Sequence, residues 1–415
     1  MTDTYIKTLI EQELYRQNEN IELIASENVV SKDILEALGS VLTNKYAEGY
    51  PGKRYYGGCK YIDEIEQAAI DRACKLFNCK YANVQPHSGS QANAAAYRAL
   101  KKYLIKHNRL DDTRDMRILS LRLDQGGHLS HGSDVSFSSD EYLFDFYPLD
   151  KTGHLNFDLI ESKIKEFEPD VILAGYSAYP YEIDFSKFRK LADEYHSMLI
   201  VDMAHIAGLI VAKQHQNPCE YADIVTSTTH KTLRGPRGGL ILTNNYELFK
   251  FINSAVFPFY QGGPLENTIA AKAVCFNEAS SNEFIDYIKR VKENTRAFSE
   301  RMIELGCDCT LSENHLTLLN TMKSFNITGK NAQTYLERIN ITTNKNMLPN
   351  DTLPPSETSG LRIGFAAATS RGCTKEDAIQ IADIIYKCLK NEDLVWDCTI
   401  AVKNITDKWS KICAI

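Results

Sequence analysis

The chain has 415 residues, and 43% of them are apolar, enough to bury a large core; at about 150 residues per domain it holds roughly two or three domains. A charged fraction of 24% and a mean hydropathy of -0.32 exclude general disorder. With 47 basic against 54 acidic residues the net charge is -7, which excludes binding nucleic acid by bulk electrostatics and leaves room only for a local basic pocket for a small anion.

Eleven cysteines, Cys59, Cys74 and Cys79 among them, stand at irregular spacing, and the closest pair, Cys307 and Cys309, has no partner pair at zinc-site spacing. Reduced thiols in a cytoplasmic protein are therefore expected, with no metal. No run approaches the roughly 18 apolar residues of a membrane span. Met1 to Asn20 is acidic and amide-rich, unlike a signal or transit segment.

In chain order, Ile6, Leu9, Ile10 and Leu14 recur at helical spacing, and Ser31 can cap a helix that Gly39 ends. Residues 44–59 hold four tyrosines, four glycines and one proline, a loop composition with enough aromatics to pack on something. Ile62, Ile65, Ala69, Ala73 and Leu76 mark the next helix. From about residue 80 the pattern alternates strand, loop and helix. YANVQP leads through HSGSQAN into an alanine-rich helix, Ala92 to Leu100. Strands follow at 171–177, 198–204, 223–228 and 239–243. They are continuous apolar runs, as expected of central strands buried on both faces. This predicts an α/β fold with a mostly parallel sheet and helices on both faces. A long helix over 282–305 comes next, then a smaller α+β unit. That unit has strands at 315–319, 341–344 and 361–365, a helix near 333–339, and a closing helix capped by Thr374 and Asp377. The tail beyond Asp393 is less clearly patterned. The expected division is an N-terminal arm with helices (1–40), a large α/β domain (41–280), and a connecting helix with a small C-terminal α+β domain (281–415).

Five constellations carry chemistry. In THKTLRGPRGG a buried strand delivers Lys231 near its C-terminal end, where ligands bind in open α/β sheets. His230, Arg234 and Arg237 crowd it with positive charge, which lowers an amine pKa and favours addition to a carbonyl. The plainer reading is a surface lysine in a basic turn. Asp202 closes the strand of VDMAHIAG, 29 residues before Lys231, with His205 three residues on. It is either a helix N-cap or the acid that keeps a pyridine nitrogen protonated. Ser88, Gly89 and Ser90 enter a helix and can cradle a phosphate, or simply cap it. His128, in QGGHLSHG, can lie over a flat ring or be a satisfied core histidine. Arg362 alternates with Leu361 and Ile363 on a strand, and so faces away from them as a carboxylate clamp or a structural ion pair. Together they supply what an aldehyde cofactor acting on an amino acid needs: an amine, a ring-nitrogen acid, a phosphate cup, a ring cover and a clamp.

The stretches IELIASEN, LTNKYAEGYPGKRYYGGC, ANVQPHSGSQAN, GGHLSHG, IVDMAHIAGL, THKTLRGPRGG and TSGLRIG closely resemble the serine hydroxymethyltransferase family, and the likeness runs from about residue 10 to 390. The resemblance implies a fold-type-I pyridoxal phosphate enzyme that builds each active site from two subunits of a tight homodimer, with a tetramer also open. The implied reaction moves the serine hydroxymethyl group reversibly to tetrahydrofolate as co-substrate, giving glycine, with no nucleic acid or membrane partner.

By resemblance, Lys231 would hold the cofactor, Asp202 would pair with its ring nitrogen, His205 would sit by its ring oxygen, and His128 would stack on it. Ser88, Gly89 and His230, with Gly262 and Gly263 from the partner chain, would hold the phosphate. Arg362 would bind the substrate carboxylate. Tyr46 and Glu48 would come from the partner, Glu48 handling protons near the serine hydroxyl and folate. Tyr55, Tyr56, Ser26 and Ser177 would line the pocket, Tyr56 among the catalytic groups and Ser177 toward the cofactor. Leu123, Gly127, Lys345 and Asn346 match folate-contacting positions.

Several positions depart from the family pattern: Phe259 replaces a glycine, Asn267 a histidine, Tyr181 an arginine and Gln125 a histidine. The segment 101–118 is longer and more charged than the usual short turn. A threonine aldolase or transaldolase acting on another aldehyde without folate is the alternative these departures leave open, and a non-catalytic relative is a further one.

Overall fold

The computed structural model describes residues 1–412. The chain divides into two units, one of residues 33–177 and 183–285, the other of residues 1–32, 178–182 and 286 onward.

The larger unit is built on a seven-stranded sheet of β1 (Tyr81–Asn83), β2 (Arg117–Ser120), β3 (Leu143–Phe146), β4 (Val171–Ala174), β5 (Met198–Asp202), β6 (Ile224–Thr228) and β7 (Gly239–Thr243), in the order β1-β7-β6-β5-β4-β2-β3. All neighbours pair in parallel except β7, which runs antiparallel to both β1 and β6. Every residue of β4 to β7 is buried, and β4, most of β5 and most of β7 read as apolar runs, whereas the run expected over 223–228 turns polar at Thr226, Ser227 and Thr228, whose side chains are buried.

Helix α1 (Lys60–Phe77) ends where Asn78 turns left-handed. Helix α2 (Gly89–Lys106) is capped by Ser88 Oγ, which accepts from Gln91 N at 3.2 Å. Its alanines let it lie close on the sheet: Ala92, Ala95, Ala96 and Ala99 pack with Ile118, Val171, Leu173, Ile200, Ile224 and Ile241. Helix α3 (Phe185–Glu194) packs on β4 and β5, and α4 (Glu266–Ala279) packs along α1.

The predicted helix 92–100 is longer at both ends, because the Ser88 cap adds a turn and Leu104 is still buried. The charged stretch 101–118 is correspondingly not one long turn. Its first six residues continue α2, and the last two begin β2.

In the smaller unit, β8 (Leu316–Asn320), β9 (Asn344–Asn346) and β10 (Gly360–Gly364) form an antiparallel sheet with β10 in the middle. The predicted strand 341–344 is two pieces: Ile341–Thr342 pairs in parallel with Ile21–Glu22, and β9 starts only at Asn344. Phe298 and Met302, from the long helix α5 (Asn282–Glu304), share a core with Leu319, Leu361, Ile363 and Ile381. Helix α6 (Lys375–Lys390) has the predicted capping box. The weakly patterned tail forms a helix over Val395–Thr406, because Val402, Ile405 and Trp409 all reach this core. No described helix is long and apolar enough to cross a membrane.

Candidate active site

The C-terminal end of β5 carries Asp202, buried beside α2. One carboxylate oxygen accepts from Asn93 Nδ2 at 2.9 Å and His131 Nε2 at 3.1 Å, and the other from Ala204 N at 3.0 Å. Burial alone would raise this acid. The His131 hydrogen bond and the nearby charges of His128 and Lys231 outweigh it and hold Asp202 well below the usual carboxylate range. The bond to Asp202 fixes the His131 proton on Nε2, which leaves Nδ1 buried without a partner. Asn93 is itself held from both sides: Thr226 Oγ1 donates to its Oδ1 at 2.6 Å, and its Nδ2 also reaches Ser130 Oγ at 2.9 Å. The result is a desolvated, preorganised anion.

Four residues before Asn93, one turn along the same face of α2, stands Gly89. A side chain there would meet Thr228 Cγ2 at 2.7 Å, so the start of α2 lies directly against the end of β6. Thr226 and Thr228 likewise share one face of β6. The α2–β6 contact therefore has an acid at one level and a helix N-terminus about 6 Å further on. At the second level Thr228 Oγ1 and His230 Nδ1 are buried without hydrogen-bond partners. Burial, with Lys231 and Arg237 nearby, pushes His230 down to about 3, so it is neutral. Orphaned hydroxyl and imidazole atoms beside free helix N–H groups suit a phosphate, and Asp202 suits a pyridinium. These residues fit a phosphorylated pyridine aldehyde.

The loop after β6 folds back on itself to place Lys231, which is buried. Thr229 N donates to Gly238 O at 3.1 Å, Gly235 N to Thr229 O at 2.7 Å and Arg234 N to Lys231 O at 3.0 Å. Arg234 takes a left-handed conformation (φ 59) to close this turn. Thr232 Oγ1 donates to His205 O at 2.8 Å and accepts from Gly208 N at 3.0 Å, tying the lysine loop to the loop after Asp202. Gly175 (φ 105) ends β4, and a side chain there would collide with Asp202 O at 1.9 Å. Two residues on, Ser177 N donates to Gly126 O at 2.8 Å. His128 Nδ1 accepts from Ser130 N at 3.2 Å and lies 2.8 Å from Ser130 Oγ, which links this ring to Asn93.

Behind the helix start lies Lys272 of α4, fully buried. Its ammonium donates to Val84 O at 2.6 Å, Pro86 O at 3.0 Å and Gly239 O at 2.9 Å, and burial pushes it down to about 7. It fastens the segment leading to Ser88 onto the start of β7.

The aromatic loop 44–59 presents Tyr46, Tyr55 and Tyr56 on the surface. The Tyr46 and Tyr56 rings meet edge to face at 5.0 Å, and Tyr46 O–H lies 3.4 Å from Glu48 Oε1. Gly262 and Gly263 belong to the same surface. A side chain at Gly262 would stand 3.3 Å from Glu48 Oε1, and one at Gly263 would stand 3.2 Å from the Tyr46 ring. All four residues attributed to the partner's site thus form one surface on the larger unit.

In the smaller unit, Arg362 of β10 has buried Leu361 and Ile363 on either side and points the other way. Its Nε donates to Asn344 Oδ1 at 3.3 Å, Nη2 lies 3.5 Å from Ser26 Oγ, and desolvation pushes it down to about 10. Lys345 and Asn346 lie on β9, where Lys345 Nζ donates to Ser356 O at 2.6 Å. Leu123, in the larger unit, is exposed, and Gly127 is buried where a side chain would meet Leu121 O at 2.1 Å. Of the departures, Gln125 Oε1 accepts from Leu149 N, Asn267 Nδ2 donates to Leu38 O, and Phe259 is 51% exposed beneath the Arg98 guanidinium.

Sequence reasoning gave no role to Asn93, Ser130, His131, Thr226 and Lys272. Asn93 sits one turn after Gly89, and His131 sits three residues after His128; those spacings were the available signals.

A mostly parallel α/β sheet with a buried lysine and a desolvated aspartate at or just beyond the carboxyl ends of its strands defines an α/β protein with its candidate site where ligands bind in open α/β sheets. The family model described as "Serine hydroxymethyltransferase" matches residues 1–385. Among curated relatives, a serine hydroxymethyltransferase of Lactobacillus acidophilus is 53% identical over 393 residues, covering 92% of each chain. One of Lactobacillus gasseri is 51% identical over 411 residues, covering 96% of each. One of Metamycoplasma arthritidis is 50% identical, covering 94% of this chain and 90% of its own. The chain belongs to the serine hydroxymethyltransferase family.

Proposed function

We propose that the protein transfers the hydroxymethyl group of serine reversibly to tetrahydrofolate, giving glycine and 5,10-methylenetetrahydrofolate, as a fold-type-I enzyme with pyridoxal phosphate. The observation that carries this is the pairing, along one helix–strand contact, of the ionised Asp202 with the donor-rich start of α2, beside the folded-back loop of Lys231.

Pyridoxal phosphate, when bound, supplies the electron sink for breaking the Cα–Cβ bond of serine. Lys231 would hold its aldehyde through the side-chain amine. Asp202, held by Asn93 and His131, would keep a proton on its ring nitrogen. Ser88, Gly89 and the neutral His230, with Gly262 and Gly263 of the partner subunit, hold the phosphate. His128 covers the ring and Arg362 orients the carboxylate of serine. Glu48 of the partner subunit moves the proton of the serine hydroxyl, with Tyr46 beside it. The working form is a homodimer.

The second reading, a folate-independent aldolase on the same scaffold, is favoured by the exposed Phe259. Exchange of the glycine α-proton with solvent separates the two. The proposal expects exchange that tetrahydrofolate strongly accelerates and that Lys231→Ala abolishes. Exchange indifferent to folate supports the aldolase, and exchange surviving Lys231→Ala overturns the lysine's role.

A further inference from the structure

Beneath the loop that carries Glu48 lies a cluster with one guanidinium and three carboxylates, all buried except the partly exposed Asp63. Arg54 Nε donates to Asp63 at 2.8 Å and Nη2 to Glu66 at 2.6 Å. Nη1 donates to Ala47 O at 2.9 Å and Gly49 O at 3.1 Å, the carbonyls on either side of Glu48. Gln85 Nε2 braces the same place, donating to Gly49 O at 2.9 Å and Glu66 Oε1 at 2.8 Å. Glu266, which opens α4 just after the Gly262–Gly263 turn, stands 3.9 Å from that same Nη1, and both its oxygens are buried without a hydrogen-bond partner.

Three carboxylates cannot all ionise around one buried guanidinium at tolerable cost, and the acid with the weakest contacts keeps its proton. Burial raises Glu66 as well, but Glu66 accepts hydrogen bonds from Arg54 and Gln85 and Asp63 is hydrogen-bonded and partly exposed, so the acid that keeps its proton is Glu266, whose oxygens accept none. Were it ionised, it would compete for the Nη1 protons, both of which already serve the backbone flanking Glu48.

We infer that Arg54 is a positioning residue that sets Glu48 through the carbonyls on either side of it, and that it does so only while Glu266 stays protonated. This rests on the reading that Glu48 handles protons in the partner's active site. The groups facing Glu266 are Glu66 and Asp63 from α1, Arg54 from the loop, and Lys45 at the loop's start. Burial, with the two acids reinforcing it and the two cations opposing it, lifts Glu266 from 4.5 to about 8. A carboxyl raised by folding contributes stability below its unfolded pKa and loses it as pH rises through the folded one.

The test compares the holoenzyme with Glu266→Gln and Arg54→Lys. The stability of Glu266→Gln relative to the parent, read as a difference in Tm, is expected to rise from about pH 5 and level off above about pH 8. Serine turnover of the parent is expected to fall about tenfold per unit above about pH 8, a loss Glu266→Gln does not share. Arg54→Lys is expected to lower kcat about a hundredfold with little change in the KM for serine, because Arg362 is untouched. A Tm difference that does not change with pH, or an alkaline loss shared by Glu266→Gln, overturns the inference. Because the Tm comparison needs no turnover, a chain that keeps the Tm trend but transfers nothing from serine refutes the proposed function and still supports the proton on Glu266.

Discussion

Asn93→Ala tests the anion end of the site. The side chain makes three buried hydrogen bonds: to Asp202 at 2.9 Å, to Ser130 at 2.9 Å and from Thr226 at 2.6 Å. A neutral bond contributes about 1 kcal/mol and one to a charged group about 2 kcal/mol, so truncation costs about 4 kcal/mol. Part of that cost is an Asp202 carboxylate left short of a donor in a desolvated place. Its pKa then rises. A carboxyl depressed by folding stabilises above its unfolded pKa of about 4 and loses that stability as pH falls through the folded value. Asn93→Ala should therefore lose its remaining stability at higher pH than the parent. Urea melts of the two proteins from about pH 2 to pH 7 measure both effects. A loss below about 1 kcal/mol with an unchanged acid limb would refute the role of Asn93 as Asp202's support.

Lys272→Met leaves Val84 O, Pro86 O and Gly239 O without their donor and should cost about 3 kcal/mol in urea melts, with a weaker stabilisation by inorganic phosphate. Gly175→Ala forces a side chain to within 1.9 Å of Asp202 O at a φ of 105, and should lower Tm and visible cofactor absorbance together. Gly89→Ala meets Thr228 at 2.7 Å and should weaken pyridoxal phosphate binding more than it lowers Tm, as titration of the apoprotein would show.

Much of the larger unit was legible because its central strands are buried on both faces, and that burial writes itself as apolar runs at Val171–Ala174, Met198–Val201 and Gly239–Leu242, though Ile224–Thr228 is polar in its second half. Short elements were harder. The break between Ile341–Thr342 and Asn344–Asn346 depends on which partner each piece pairs with, and local pattern does not encode pairing. The helix at 395–406 is apolar on more than one side, so its periodicity is faint until its neighbours are known. At the site, Lys231 and Asp202 stood out because charge at the end of a buried strand is costly. Asn93 and His131 looked like ordinary polar residues, and their importance comes from meeting across 109 and 71 residues of chain at one carboxylate. Glu266 was invisible for the same reason: nothing local marks a glutamate that α1 and Arg54 will enclose.

Serine cleavage measured with and without tetrahydrofolate, with threonine run in parallel, bears most directly on the whole proposal. Glycine should form from serine rapidly and in step with methylenetetrahydrofolate, and slowly when folate is left out. Equal glycine release in both conditions, with threonine cleaved faster than serine, would contradict it.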